Sequence, residues 1–97
     1  MYLKIHRAPG SGDVVAVCDR ELLNTTICDG TKKVAVSEYF YGNSPVTEAE
    51  VKEALKNAGN INLMGERAVS VAAGMGLITR SECIMIGTVP HAQIYRL

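Results

Sequence analysis

The sequence predicts an α+β fold: a single two-layer domain over residues 1–97, with a largely antiparallel sheet of about five strands and two main helices. Three observations lead there. Alternating or continuous apolar runs of strand length cluster at the two ends of the chain. A capped amphipathic pattern occupies the middle. No repeat, linker or low-complexity tract divides the 97 residues, and a chain this short with 47% hydrophobic residues can still bury a core.

Tyr2 to Arg7 alternates and reads as a half-exposed strand with Leu3 and Ile5 inward. A turn from Pro9, Gly10, Ser11, Gly12 and Asp13 follows, then the apolar run Asp13 to Cys18, expected to pair with the first strand. Arg20 to Thr26 reads as one or two helical turns. Asp29-Gly30 marks a turn, and Lys33 to Tyr41 reads as an alternating strand that places Tyr39 and Tyr41 on one face. Thr47-Glu48-Ala49-Glu50 is a capping box with Val46 and Val51 as its staple, so a helix should run from Thr47 to about Ala58. A second helix is expected to begin at Asn60 or Asn62, because Ile61, Met64, Ala68, Val71, Ala72 and Met75 recur at helical spacing. Gly76-Leu77 should stop it in a Schellman motif. Two last strands, Cys83 to Ile86 and Ala92 to Arg96, are joined by Gly87 to Pro90.

Charge and composition narrow the function. Ten acidic and ten basic side chains cancel, which disfavours histone-like binding or polybasic attachment to a membrane. Three cysteines with no C-x-x-C spacing read as reduced thiols, and no apolar run reaches the roughly 18 residues of a membrane helix. The N-terminus reads as a strand and not as a signal peptide, so the expected location is the cytoplasm. No cofactor and no metal is expected: Gly10-Ser11-Gly12 lacks the Lys-Ser/Thr of a phosphate loop, and neither histidine has ligand spacing to a cysteine or to the other.

Two stretches concentrate polar residues. In "NLMGERA", Gly65 inside a helix would cost about 1 kcal/mol relative to alanine, which suggests close packing or backbone approach to a ligand. Glu66 and Arg67 follow it, near amides that a helix N-terminus offers to anions. In "GTVPHAQ", Pro90 biases Val89 towards extended geometry, and His91 and Gln93 share one strand face. The bland reading is a capped helix and a hairpin. The functional reading is a binding surface made from Asn62, Gly65, Glu66, Arg67, Pro90, His91 and Gln93, with Tyr39 and Tyr41 at its rim.

"EYFYG", "NLMGERAV" and "GTVPHAQIYRL" together resemble the archaeal domain-of-unknown-function 424 family, over essentially the whole chain. Thr88 between Gly87 and Val89 is a small departure from the family pattern. The resemblance implies an archaeal, cytoplasmic α+β protein and brings no catalytic residues. The leading expectation is a non-enzymatic module that recognises structured RNA or a ribonucleoprotein in the translation apparatus, with protein-only recognition close behind. The alternatives are a small acid–base enzyme using Glu66 and His91, and a structural homodimer paired through an edge strand.

Overall fold

The structure is a computed structural model that describes residues 1–7, 10 and 12–96. Its main sheet has five strands in the order β1-β2-β5-β7-β6: Tyr2–His6, Val14–Cys18, Asn60–Met64, Val89–Tyr95 and Ile84–Ile86. The β1–β2, β5–β7 and β6–β7 pairings are antiparallel, and β2–β5 is parallel. A separate hairpin joins β3 (Thr25–Asp29) to β4 (Lys32–Val36). Three helices complete the α+β fold: α1 (Glu38–Tyr41), α2 (Glu48–Leu55) and α3 (Glu66–Gly74). The expected turn at residues 9–13 lies partly outside the described residues.

Alternation along the strands builds two cores. Val15, Val17, Ile61, Leu63, Ala92 and Ile94 face α2 and α3 and meet Val51, Leu55, Ala68 and Val69. The opposite face presents Ala16, Cys18 and Met64 to Ile27 and Val36 of the hairpin and to Tyr41 of α1. Full burial of Ile61 and Leu63 stabilises the sheet centre by about 1.5–3 kcal/mol for each side chain.

Local signals placed α2 correctly. The Thr47 hydroxyl accepts from the Glu50 amide at 3.1 Å, and the Glu50 carboxylate accepts from the Thr47 amide at 2.9 Å. The helix is shorter than expected, ending at Leu55, and the Arg96 side chain takes up carbonyls at its end and beyond, those of Leu55 and Ala58. At the end of α3, Leu77 N–H donates to Ala72 O and Gly76 N–H to Ala73 O, with Gly76 at φ 76°, which is the Schellman geometry.

Three expectations are corrected. Asn60–Met64 is a central strand and α3 starts only at Glu66. Ladders to β2 and β7 on both sides outweigh a helical period that Ile61 and Met64 satisfy by coincidence. The strand read over Lys33 to Tyr41 ends at Val36, and Ser37 caps a four-residue helix. Tyr39 and Tyr41 therefore do not share a strand face: Tyr39 is 84% exposed and Tyr41 is buried. Arg20–Leu22 forms a single 3-10 turn, and Thr25 already belongs to β3.

Candidate functional site

The parallel pair sets the geometry of the first site. Cys18 and Met64 are opposite each other at the ends of β2 and β5, so Asp19 and Gly65 leave the sheet side by side. The carboxyl ends of parallel strands are where open α/β sheets form ligand crevices. A crevice of about 130 Å³ lies here, with Asp19, Glu21, Gly65, Glu66, Thr88 and Pro90 among its walls. It is small beside the roughly 300–1,000 Å³ of typical small-molecule sites.

Asp19 fills the position an anion would take. Its carboxylate accepts from the Arg67 amide at 3.0 Å and from the Ala68 amide at 2.9 Å, and the residue is only 2% exposed. Two first-turn amides of α3, those of Arg67 and Ala68, are thus satisfied by the chain's own charge, which the helix dipole favours. Gly65 is required by the same contact. It adopts φ 114°, and a Cβ there would sit 2.6 and 2.7 Å from the two Asp19 oxygens. No local pattern announced Asp19. The available signal was an acidic residue directly after the apolar run "VVAVC".

The two polar stretches do meet, through their backbones. Gly65 N–H donates to Pro90 O at 2.9 Å, while Gly65 O turns into α3 and accepts from Val69 N–H at 3.0 Å. The missing N–H of Pro90 therefore deprives no ladder acceptor, which is how a proline sits inside β7. The side chains part company. Ala92 and Ile94 face α3, so His91 and Gln93 project from the other face of the sheet. Glu66 is ion-paired with Arg80, and Arg67 lies 3.8 Å from Glu21 in an exposed pair. The structure does not bring Glu66 and His91 together.

On that other face a second cluster forms. Asn62 and Gln93 are cross-strand neighbours, as are Met64 and His91. The Tyr41 hydroxyl, whose ionisation burial pushes up, donates to Asn62 Oδ1 at 2.7 Å. His91 Nδ1 lies 2.8 Å from Leu63 O and must carry the proton to bond a carbonyl, so neutral His91 keeps Nε2 as an acceptor. Gln93 is exposed, and Tyr95, two residues on along the same face, is 70% exposed. Of the residues singled out in the sequence, Tyr41, Asn62, His91 and Gln93 gather here. Gly65, Glu66 and Pro90 gather at the crevice with Arg67 beside it, and Tyr39 stands apart over Lys4, whose Nζ donates to Tyr39 O.

Cys18, Cys28 and Cys83 are free thiols. Among the described residues, no group of three or more His, Cys, Asp and Glu side chains is placed to hold a metal ion. No helix among the described residues is long and apolar enough to cross a membrane.

Comparison with known proteins returns one family. No curated protein matches the chain. The crystal structure of an uncharacterized conserved protein from Methanopyrus kandleri is similar with a TM-score of 0.82 at 31% identity, over 99% of this chain and 90% of that one. Residues 6–97 match the model of the family described as a protein of unknown function (DUF424), and the chain belongs to that family.

Proposed function

We propose that the protein is a non-enzymatic binding module that recognises structured RNA, alone or within a ribonucleoprotein of the translation apparatus, through the β5–β7 half of its second sheet face. The supporting observation is the set of unspent polar and aromatic groups there: the amide of exposed Gln93, the free Nε2 of His91 and the 70% exposed ring of Tyr95. An exposed aromatic on the uncovered part of a sheet face suits stacking on an unpaired base, with amide and imidazole hydrogen bonds giving direction. Lys4 lies on the same face, its Nζ donating to Tyr39 O, and adds a positive charge there that the neutral net charge conceals.

On the sequence alone Arg67 is the residue expected to meet a phosphate or a carboxylate. With the Arg67 and Ala68 amides held by Asp19 and the Arg67 side chain beside Glu21, the α3 terminus offers a phosphate little. Electrophoretic mobility shift with ribosomal RNA fragments and transfer RNA tests the reading. Gln93→Ala and Tyr95→Ala should each weaken binding about five- to tenfold or more, the share expected of a stacked or directional contact. Arg67→Ala should change little. Absence of binding by the unsubstituted chain to any of these RNAs, or a larger loss in Arg67→Ala than in Tyr95→Ala, refutes the proposal.

A further inference from the structure

β7 is longer than the strand that covers its outer edge. β6 pairs only with Val89 to His91, and β7 continues to Tyr95. In an antiparallel pair, alternate residues turn their backbone groups inward and outward. The bonds Gly65 N–H to Pro90 O and Arg96 N–H to Gly59 O fix that alternation. Ala92 and Ile94 therefore bond to β5, while the N–H and C=O groups of Gln93 and Tyr95 point away from the sheet. None of these four groups has a hydrogen-bond partner among the described residues. Beside this bare segment runs a groove of about 360 Å³, walled on the far side by Leu77, Ile78 and Glu82 from the connection between α3 and β6.

We propose that this groove is a strand-addition site for an extended peptide segment of a partner protein, which would continue the line of β6 and pair antiparallel with Gln93 to Tyr95. Main-chain groups with no partner in an extended segment are recognised by another extended main chain. The far wall decides between occupants. A second copy offering its own β7 edge would bring its own copy of the same wall, and the groove has room for a single segment. The side chains of the guest follow from the lining. Leu77 and Ile78 call for an apolar residue. Glu82, whose carboxylate accepts from the Thr79 amide at 2.9 Å and is held below the usual carboxylate range by that bond, calls for lysine or arginine. Arg96 also lines the groove and keeps its positive charge, but its guanidinium is held against the carbonyls of Leu55 and Ala58, while Glu82 stands on the far wall with Leu77 and Ile78, so the cationic residue of the guest belongs at that wall.

The site uses the strand edge and not the side chains of the sheet face, so it stands whether or not the face binds RNA. The test is amide exchange and chemical-shift mapping on the full chain with a capped peptide alternating valine and lysine, against the same peptide N-methylated at alternate backbone nitrogens. The Gln93 and Tyr95 amides should exchange fast in the free protein and about tenfold slower or more near saturation with the first peptide. The N-methylated peptide should give no protection, and Glu82→Lys should weaken the first peptide several-fold. Equal binding of both peptides, no change at Gln93 and Tyr95 with millimolar peptide, or unchanged affinity in Glu82→Lys overturns the proposal. So does protection of the two amides in the free protein that disappears on dilution, which assigns the edge to a second copy.

Discussion

Asp19→Ala tests the central joint of the molecule. The substitution removes two charge-assisted hydrogen bonds, to the Arg67 and Ala68 amides, from a site that water hardly reaches. An N-cap truncation costs about 0.5–2 kcal/mol, and hydrogen bonds to a charged group contribute about 1.5–3 kcal/mol each before the vacated amides recover any water. The expected loss is about 2–4 kcal/mol, a large share of the roughly 5–15 kcal/mol that holds a domain of this size. In thermal unfolding followed by circular dichroism, that loss lowers Tm by about 10–25 °C. Asp19→Asn keeps one acceptor of two and should fall between. Gly65→Ala supplies a second axis, since its new Cβ collides with the Asp19 carboxylate while its φ of 114° strains any L side chain. Removing Asp19 relieves the collision and leaves the strain, so the double variant should be more stable than the sum of the single losses by about 0.5–3 kcal/mol. If Asp19→Ala stays within about 0.5 kcal/mol of the parent, or the two substitutions add, the carboxylate does not hold α3 to β2 as described.

Three further outcomes follow from single side chains. Thr47→Ala should cost about 0.5–2 kcal/mol in urea unfolding without altering the m-value, since it deletes one half of the α2 capping box at an exposed terminus. A thiol reagent should label exposed Cys28 in the native protein and reach Cys18 only on unfolding, because burial, with the neighbouring Asp19 charge, pushes the Cys18 thiol from 9.0 up to about 12. The sign of the linked effect is fixed: above pH about 9 the unfolded chain releases this proton while the native chain keeps it, so stability falls as the pH rises towards about 12. Urea midpoints measured between pH 8 and 11 should show that slope, and Cys18→Ala should flatten it.

What could be read from the sequence was what the chain decides within a few residues. The Thr47 and Glu50 capping box, the Gly76 stop and the strands β1 and β2 each rest on neighbours three to five positions apart or on a continuous apolar run. β5 was misread because "NINLM" flows into α3 without a break in apolar spacing; its strand character comes from β2 and β7, far away in the chain. β3 escaped notice because Ile27 is its one buried residue, so there was almost no alternation to detect. Tyr41 falls in a strand by sequence because the alternation from Lys33 runs on through "SEYFY"; the Ser37 cap and the burial of Tyr41 with Ala16 and Cys18 put it in a helix instead. For the site, Gly65 and Pro90 stood out through backbone rules. Asp19 did not, since its partners are 48 and 49 residues away.

The joint at Asp19 also explains why the polar residues of two neighbouring stretches end up apart. β5 and β7 must turn Ile61, Leu63, Ala92 and Ile94 towards the helices to close the main core. With a side-chain period of two, that choice sends Asn62, His91 and Gln93 to the opposite face. α3 then departs from the helix side of the sheet, carrying Glu66 and Arg67 with it, and Asp19 fastens its start so closely that only glycine fits between. The carboxylate that fastens this start also occupies two of the donors an anion would use, the Arg67 and Ala68 amides. Unengaged hydrogen-bonding groups are thereby fewer at the crevice than at β7, where the side chains and main chain of Gln93 and Tyr95 have no partner among the described residues.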